Sequence, residues 1–228
     1  MNIIHGLVQR RLLPKWAQRV TWNREYALGR WDSRTLHTPS DPIYELLAKY
    51  CAGREICDIG SGHGNTISEM PPVYKAYTGV DISDVALSIA AKRASEAGRD
   101  RVTFVQGFMH TFTPDKKPDV FLFRESLQYV SRRQTNVAAK IAQFLRRYAS
   151  MLASGGIMIC RLATTTPRGK ETAAQVEAVV RQSFTVIECR RTQEPPSLML
   201  VFRPSRQGPS FDVVAGGTKQ STKISEDL

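Results

Sequence analysis

Glycine stands at positions 60, 62 and 64, two residues after an acid in an apolar run: Ile56-Cys57-Asp58-Ile59-Gly60-Ser61-Gly62-His63-Gly64-Asn65. Such a run predicts a buried parallel strand that turns sharply into a helix. Glycine lets the backbone take φ > 0 and lets a ligand approach with no Cβ in the way. The first amides of the following helix are then free to bind that ligand. Asp58, Gly60, Ser61, Gly62 and Gly64 are the first candidate binding residues. A dinucleotide fingerprint asks for glycine at the first, third and sixth positions, and here the sixth is Asn65. A phosphate-binding P-loop fails too, because no Gly-Lys-Ser/Thr follows.

Two further acids fall where chemistry needs them. The stretch Thr78-Gly79-Val80-Asp81-Ile82-Ser83 ends the strand expected beside the glycine loop, and an acid at that tip suits hydrogen bonds from a ribose diol. Ile82 can pack on the face of a base. Ser83 and Asp84 account for the next helix cap, which leaves Asp81 over. Farther on, Asp119-Val120-Phe121-Leu122-Phe123-Arg124-Glu125-Ser126-Leu127-Gln128-Tyr129 carries Glu125 to the carboxyl edge of the sheet. A carboxylate there can steady a substrate or act as base for a hydroxyl or a protonated amine. The plainer alternative pairs Glu125 with Arg124 as a helix-start charge. Asp119 reads as structural. Of the four histidines, His63 is expected to point away from the loop, and His110 is the one weighed as a base. No metal-ligand constellation is visible.

Positioning these residues requires alternating strands and helices. Strands are predicted at Glu55–Ile59, Ala76–Val80, Val102–Gln106, Val120–Phe123, Gly156–Leu162, Phe184–Cys189 and Leu198–Phe202. Helices fall at Asn65–Met70, Asp84–Ala97, Asn136–Ala153 and Gly169–Gln182, with another from about Asp41. That alternation predicts an α/β fold, a doubly wound, seven-stranded and mostly parallel sheet. The connection from Arg190 to Ser197 is too short for a crossover helix, so the last two strands must pair antiparallel. The expected domain runs from 41 to 204. Residues 1–40 form a helical or lid segment before it, and 205–228 a Gly/Ser/Lys/Thr-rich tail read as disordered.

The Asp-x-Gly-x-Gly-x-Gly spacing of residues 58–64 resembles motif I of class I S-adenosylmethionine-dependent methyltransferases. Val80-Asp81-Ile82 looks like the family's motif II, and Glu125-x-Leu127-x-Tyr129 its strand-four motif, with Arg124 in place of the usual Asn. The resemblance covers about Tyr26 to Arg203. It implies a Rossmann-like methyltransferase fold with S-adenosylmethionine as cofactor, the glycine loop against its methionine end and Asp81 on its ribose. Gly107 and Phe108 would flank adenine, though no acid stands there for the exocyclic amine. The implied activity is methyl transfer to an oxygen or nitrogen. The aromatic lead-in Trp22 to Asp32 is similar to that of bacterial methyltransferases acting on saccharides and related metabolites. That likeness makes Tyr26, Trp31 and Tyr129 candidate substrate contacts and a small molecule or saccharide the expected acceptor. The plainer view is that these rings staple the N-terminal helix to the domain.

Composition bounds the partners. At 228 residues, 42% hydrophobic and 23% charged, the chain has the make-up of a soluble globular protein, and no segment approaches the roughly 20 apolar residues of a membrane span. Cys51, Cys57, Cys160 and Cys189 are scattered with no CxxC pair, which suggests a reducing cytoplasm and no zinc site. A net charge of +11 favours anionic partners. An RNA methyltransferase would use it for phosphate contacts, against which stand the missing Asn/Asp-Pro-Pro-aromatic motif and the absence of an appended RNA-binding domain. A non-catalytic cofactor-binding module is the other alternative. Residues 1–20 alternate apolar side chains with Arg10, Arg11, Lys15 and Arg19. An amphipathic helix is expected there, either capping the core or making peripheral contact with an anionic membrane.

Overall fold

A computed structural model describes residues 14–32, 38, 40–130 and 136–205. The amphipathic helix expected before Pro14 and the tail beyond Ser205 lie outside these residues. The described elements are α1 (Lys15–Ala27), α2 (Ile43–Tyr50), β1 (Glu55–Ile59), α3 (Asn65–Glu69), β2 (Ala76–Asp81), α4 (Asp84–Glu96), β3 (Val102–Gln106), β4 (Val120–Arg124), α5 (Val137–Ser150), β5 (Ile157–Ala163), α6 (Pro167–Ser183), β6 (Phe184–Gln193) and β7 (Pro196–Pro204). They build one seven-stranded sheet in the order β3-β2-β1-β4-β5-β7-β6. Strands β1 to β5 run parallel, and β7 lies antiparallel between β5 and β6.

Strand alternation decides which residues serve which face. Cys57, Ile59, Phe121, Phe123, Met158 and Cys160 join Ile141, Phe144 and Leu145 of α5 and Val176 and Val180 of α6 in one buried cluster. Ile56, Val120, Leu122, Ile157 and Ile159 point the other way, onto Ile43, Leu46 and Leu47 of α2 and Ile67 of α3. Both faces are covered, which is why the central strands read as continuous apolar runs. The burial of Cys51, Cys57 and Cys160, all free thiols, follows from the same packing. No helix among the described residues is long and apolar enough to cross a membrane.

Local chemistry accounts for the boundaries that differ from the expected ones. Helix α6 starts at Pro167 rather than Gly169, because the Thr166 hydroxyl accepts the Gly169 amide at 3.0 Å and proline suits a first helical turn. Strands β6 and β7 pair from Phe184↔Pro204 to Gln193↔Pro196, so the hairpin is longer and its connection tighter than the apolar run alone indicates. Asp119 accepts the Glu55 amide at 2.9 Å, a structural role as expected. The aromatic lead-in is helical: α1 begins just after Pro14 and ends where Gly29 takes φ +60°. It is fastened to α4 by Arg19 and Asn23, both donating to Asp84 at 3.0 and 2.6 Å, and by the Ser83–Asn23 bond of 2.7 Å.

Strand order reverses beside β1, whose neighbours are β2 and β4. A doubly wound sheet opens a crevice at the carboxyl ends of its strands at such a point.

Candidate active site

That crevice holds a cavity of about 680 Å³, inside the usual range of roughly 300–1,000 Å³ for small-molecule sites. The glycine loop forms its floor, but not as the sequence suggests. Gly60, Gly62 and Gly64 take φ of +81°, +54° and +76°, the left-handed region where a Cβ is costly. A Cβ on Gly60 would meet Ser126 Cβ at 2.7 Å, one on Gly62 the Tyr26 hydroxyl at 2.9 Å, and one on Gly64 Ala90 Cβ at 2.7 Å. The glycines thus let other parts of the protein approach the loop. Four of its amides are also engaged: those of Gly60 and Ser61 go to the Val80 carbonyl, that of Gly64 to Ser61, and that of Gly62 to Asp81. The loop offers a ligand its shape rather than these amides.

Gly60, Ser61 and Gly62 line the cavity; Asp58 and Gly64 do not. Asp58 lies fully buried beneath the loop, accepting the Tyr77 hydroxyl at 2.6 Å. Gly64 caps α3 and abuts α4.

Asp81 ends β2 at the cavity wall. One carboxylate oxygen accepts the Gly62 amide at 3.0 Å and the other the Ser83 amide at 2.9 Å. Each ionised oxygen keeps a second acceptor site, so the group is held rigidly with capacity to spare for hydroxyl donors. Burial moves its pKa above the ordinary value, against the lowering effect of those amides. Ile82, Gly107 and Phe108 continue the same wall. Gly107 serves packing more than ligand approach, since a Cβ there would meet Phe112 at 2.8 Å. His110 sits beside Phe108 with ring centroids 5.1 Å apart.

The opposite wall carries Glu125, and its partner is not the Arg124 of the plainer alternative. Glu125 pairs with Arg161 Nη1, and its other oxygen accepts the Ala163 amide at 3.0 Å. Arg124 turns elsewhere, donating to Asp41 and Thr38 at 2.9 Å and to the Tyr44 hydroxyl at 3.0 Å. Asp41 in turn accepts from Arg161 Nε at 3.0 Å. Sequence reasoning missed Arg161 and Asp41. The available signal was an arginine inside the apolar run Ile157–Ala163, since an interior charge demands a partner.

A methyltransferase-domain family model matches residues 52–208. The chain belongs to that family. No match was found among curated proteins. Among solved structures it is similar to the N-methyltransferase NodS from Bradyrhizobium japonicum WM9 in complex with S-adenosyl-L-homocysteine. That pair has a TM-score of 0.61 and 18% identity over 82% of this chain and 97% of the other. Magnesium protoporphyrin IX methyltransferase from Synechocystis PCC 6803 gives the same TM-score and identity over 83% and 100%. A DhpI complex with S-adenosylhomocysteine gives 0.59 and 19% over 89% and 99%. At these identities the likeness is one of fold: the mostly parallel Rossmann-like sheet with its antiparallel last-formed strand.

In this methyltransferase the candidate substrate residues Tyr26, Trp31 and Tyr129 all reach the cavity, together with Trp22. Trp22 meets Tyr129 edge-on at 5.5 Å and Trp31 at 5.7 Å. Each such pair is worth about 0.5–1.5 kcal/mol beyond its buried area, so α1 is packed as part of the cavity wall. His63 departs from expectation. It is buried in that wall, 5.4 Å from the Tyr26 ring and 3.8 Å from Asp32, and burial pushes its pKa down to about 4.

Asp58 and His63 therefore act on stability with opposite signs. Burial pushes the Asp58 carboxyl up to about 6, so the folded state holds more protons than the unfolded chain from about pH 4 to 6, and stability falls as pH rises. His63, depressed from about 6.5, makes the unfolded chain hold more protons over nearly the same window, and stability rises with pH. Asp58→Asn keeps an acceptor for Tyr77 and removes only the first slope. Its Tm should climb more steeply than wild type between pH 4 and 6 in thermal melts. Parallel curves would refute the assignment.

Proposed function

We propose that the chain transfers the methyl group of S-adenosylmethionine to an oxygen or nitrogen of a small molecule or saccharide. The observation that carries this reading is Asp81, held by two backbone amides at the tip of β2, facing the same cavity as Glu125. The residues suit the cofactor: an anchored carboxylate for a ribose diol, Ile82 and Phe108 for a base, and a glycine turn for the remainder. The sulfonium supplies an electrophilic methyl group. What the chain contributes is placement: two reactants held in line gain most of their rate from lost freedom. Glu125 then steadies the acceptor or takes its proton, while Trp22, Tyr26, Trp31 and Tyr129 cover the site and exclude water. A wall of flat rings suits stacking on a sugar face or another compact acceptor. In this view residues 41–204 are the methyltransferase domain and the segment before them is its cover.

Calorimetric titration with S-adenosylhomocysteine tests the cofactor half. Asp81→Ala should weaken binding by about 1–3 kcal/mol through lost charge-assisted bonds, and unchanged affinity would remove Asp81 from the site. Incubation with labelled S-adenosylmethionine and, in turn, sugars, small amines and RNA tests the acceptor half. Label in RNA alone would contradict the small-molecule reading.

A further inference from the structure

Four charged side chains are linked in alternating sign along the cavity wall: Glu125, Arg161, Asp41 and Arg124. Three are sealed from solvent. The side chains of Arg124, Arg161 and Asp41 are 7%, 8% and 3% exposed, whereas Glu125 is 30% exposed. All four line the cavity, and Glu125 is the member most open to it. Burying such a series only for stability is inefficient, because desolvation offsets most of the attraction. Glu125 also sits at φ +58°, a conformation that costs a non-glycine residue of order 1–3 kcal/mol and persists only where its surroundings impose it. The Arg161 carbonyl accepts the Glu125 amide at 3.0 Å, so β5 grips both the backbone and the carboxylate.

We propose that Arg161 is a positioning residue for Glu125: bridging Asp41 and Glu125, it holds the Glu125 carboxylate charged and aimed at the acceptor. This rests on the reading of Glu125 given above. Among the described residues, the groups facing that carboxylate are few. Arg161 and the Ala163 amide come from β5, and Arg124 is its neighbour on β4. Asp41 acts through Arg161, while Gln128 bonds the Glu125 carbonyl and carries no charge. Cys160 feels the Glu125 charge but is pushed up to about 12 by burial, so it stays neutral. Burial raises the Glu125 pKa and Arg161 is the foremost opposing influence. Arg161 also has the geometry to serve both acids: a guanidinium presents a rigid fork, whereas lysine is a point charge that reaches one partner at a time.

The test needs no known acceptor. Carboxyl-carbon NMR titration of the full chain with S-adenosylhomocysteine, with the signal assigned by its loss in Glu125→Gln, gives the Glu125 midpoint. In Arg161→Met it should rise by about one unit or more, since a charge within about 4–6 Å shifts a carboxylate by roughly 1–3 units. Arg161→Lys should fall between the variant and wild type. S-adenosylhomocysteine affinity should stay within about twofold, because Asp81 and the glycine loop are untouched. An unmoved midpoint in either folded variant overturns the proposal. So does loss of the fold in both, which would make Arg161 a framework residue. If wild type itself fails to bind S-adenosylhomocysteine, the cofactor reading falls instead, and the midpoint shift between the apo proteins still decides the role of Arg161.

Discussion

Glu125→Gln should lower kcat by about 10²–10⁴, the usual contribution of a positioned acid or base, with little change in cofactor affinity. Glutamine is nearly isosteric and as strained at φ +58° as glutamate, so the backbone cost cancels in the comparison. Its carboxamide can still accept the Ala163 amide, and Arg161 keeps Asp41 as a partner. What disappears is the charge and the proton acceptor. The pH profile supplies the sign. Burial holds the Glu125 pKa above the ordinary carboxylate value, so wild-type turnover should fall as pH drops through that raised pKa, where the base becomes protonated. The variant should lack this limb. Near-wild-type turnover at saturating acceptor, with the same acid limb, would leave Glu125 a structural residue.

Gly62→Val should weaken S-adenosylhomocysteine binding by more than about 100-fold, or about 2.8 kcal/mol. Two costs combine. A β-branched residue at φ +54° is strained by about 1–3 kcal/mol, and its Cβ would lie 2.9 Å from the Tyr26 hydroxyl and 3.7 Å from its ring carbon. Relief requires the loop to shift, which breaks the 3.0 Å bond from the Gly62 amide to Asp81 and misplaces the proposed ribose anchor. The costs separate by experiment. Pairing Gly62→Ala with Tyr26→Phe removes the hydroxyl in the way and should recover part of the affinity, while the φ strain remains. Titration of the single and double variants reads both, and wild-type affinity in Gly62→Val would place the ligand away from this loop.

The sequence alone determined the sheet, because buried parallel strands must be apolar on both faces and their runs stand out between helical periods. It also placed Asp81 and Glu125 at the carboxyl edge, since any residue that ends such a strand arrives there. Asp58 shows the limit of that rule: it lies one residue before the strand's end, so it points into the core onto Tyr77 and never reaches the cavity. Likewise, spacing identified the glycines but not what approaches them. Only the packed structure shows Ser126, Tyr26 and Ala90 against the loop, contacts between segments distant in sequence. Partners of charged groups follow the same logic. Arg124 adjoins Glu125 in the chain, yet Glu125 lies just past the end of β4 at φ +58°, and the two side chains find Asp41 and Arg161 instead. Those pairs span 83 and 36 positions. They exist because the sheet sets β4 beside β5 and lays the start of α2 across both, an arrangement that no local spacing encodes.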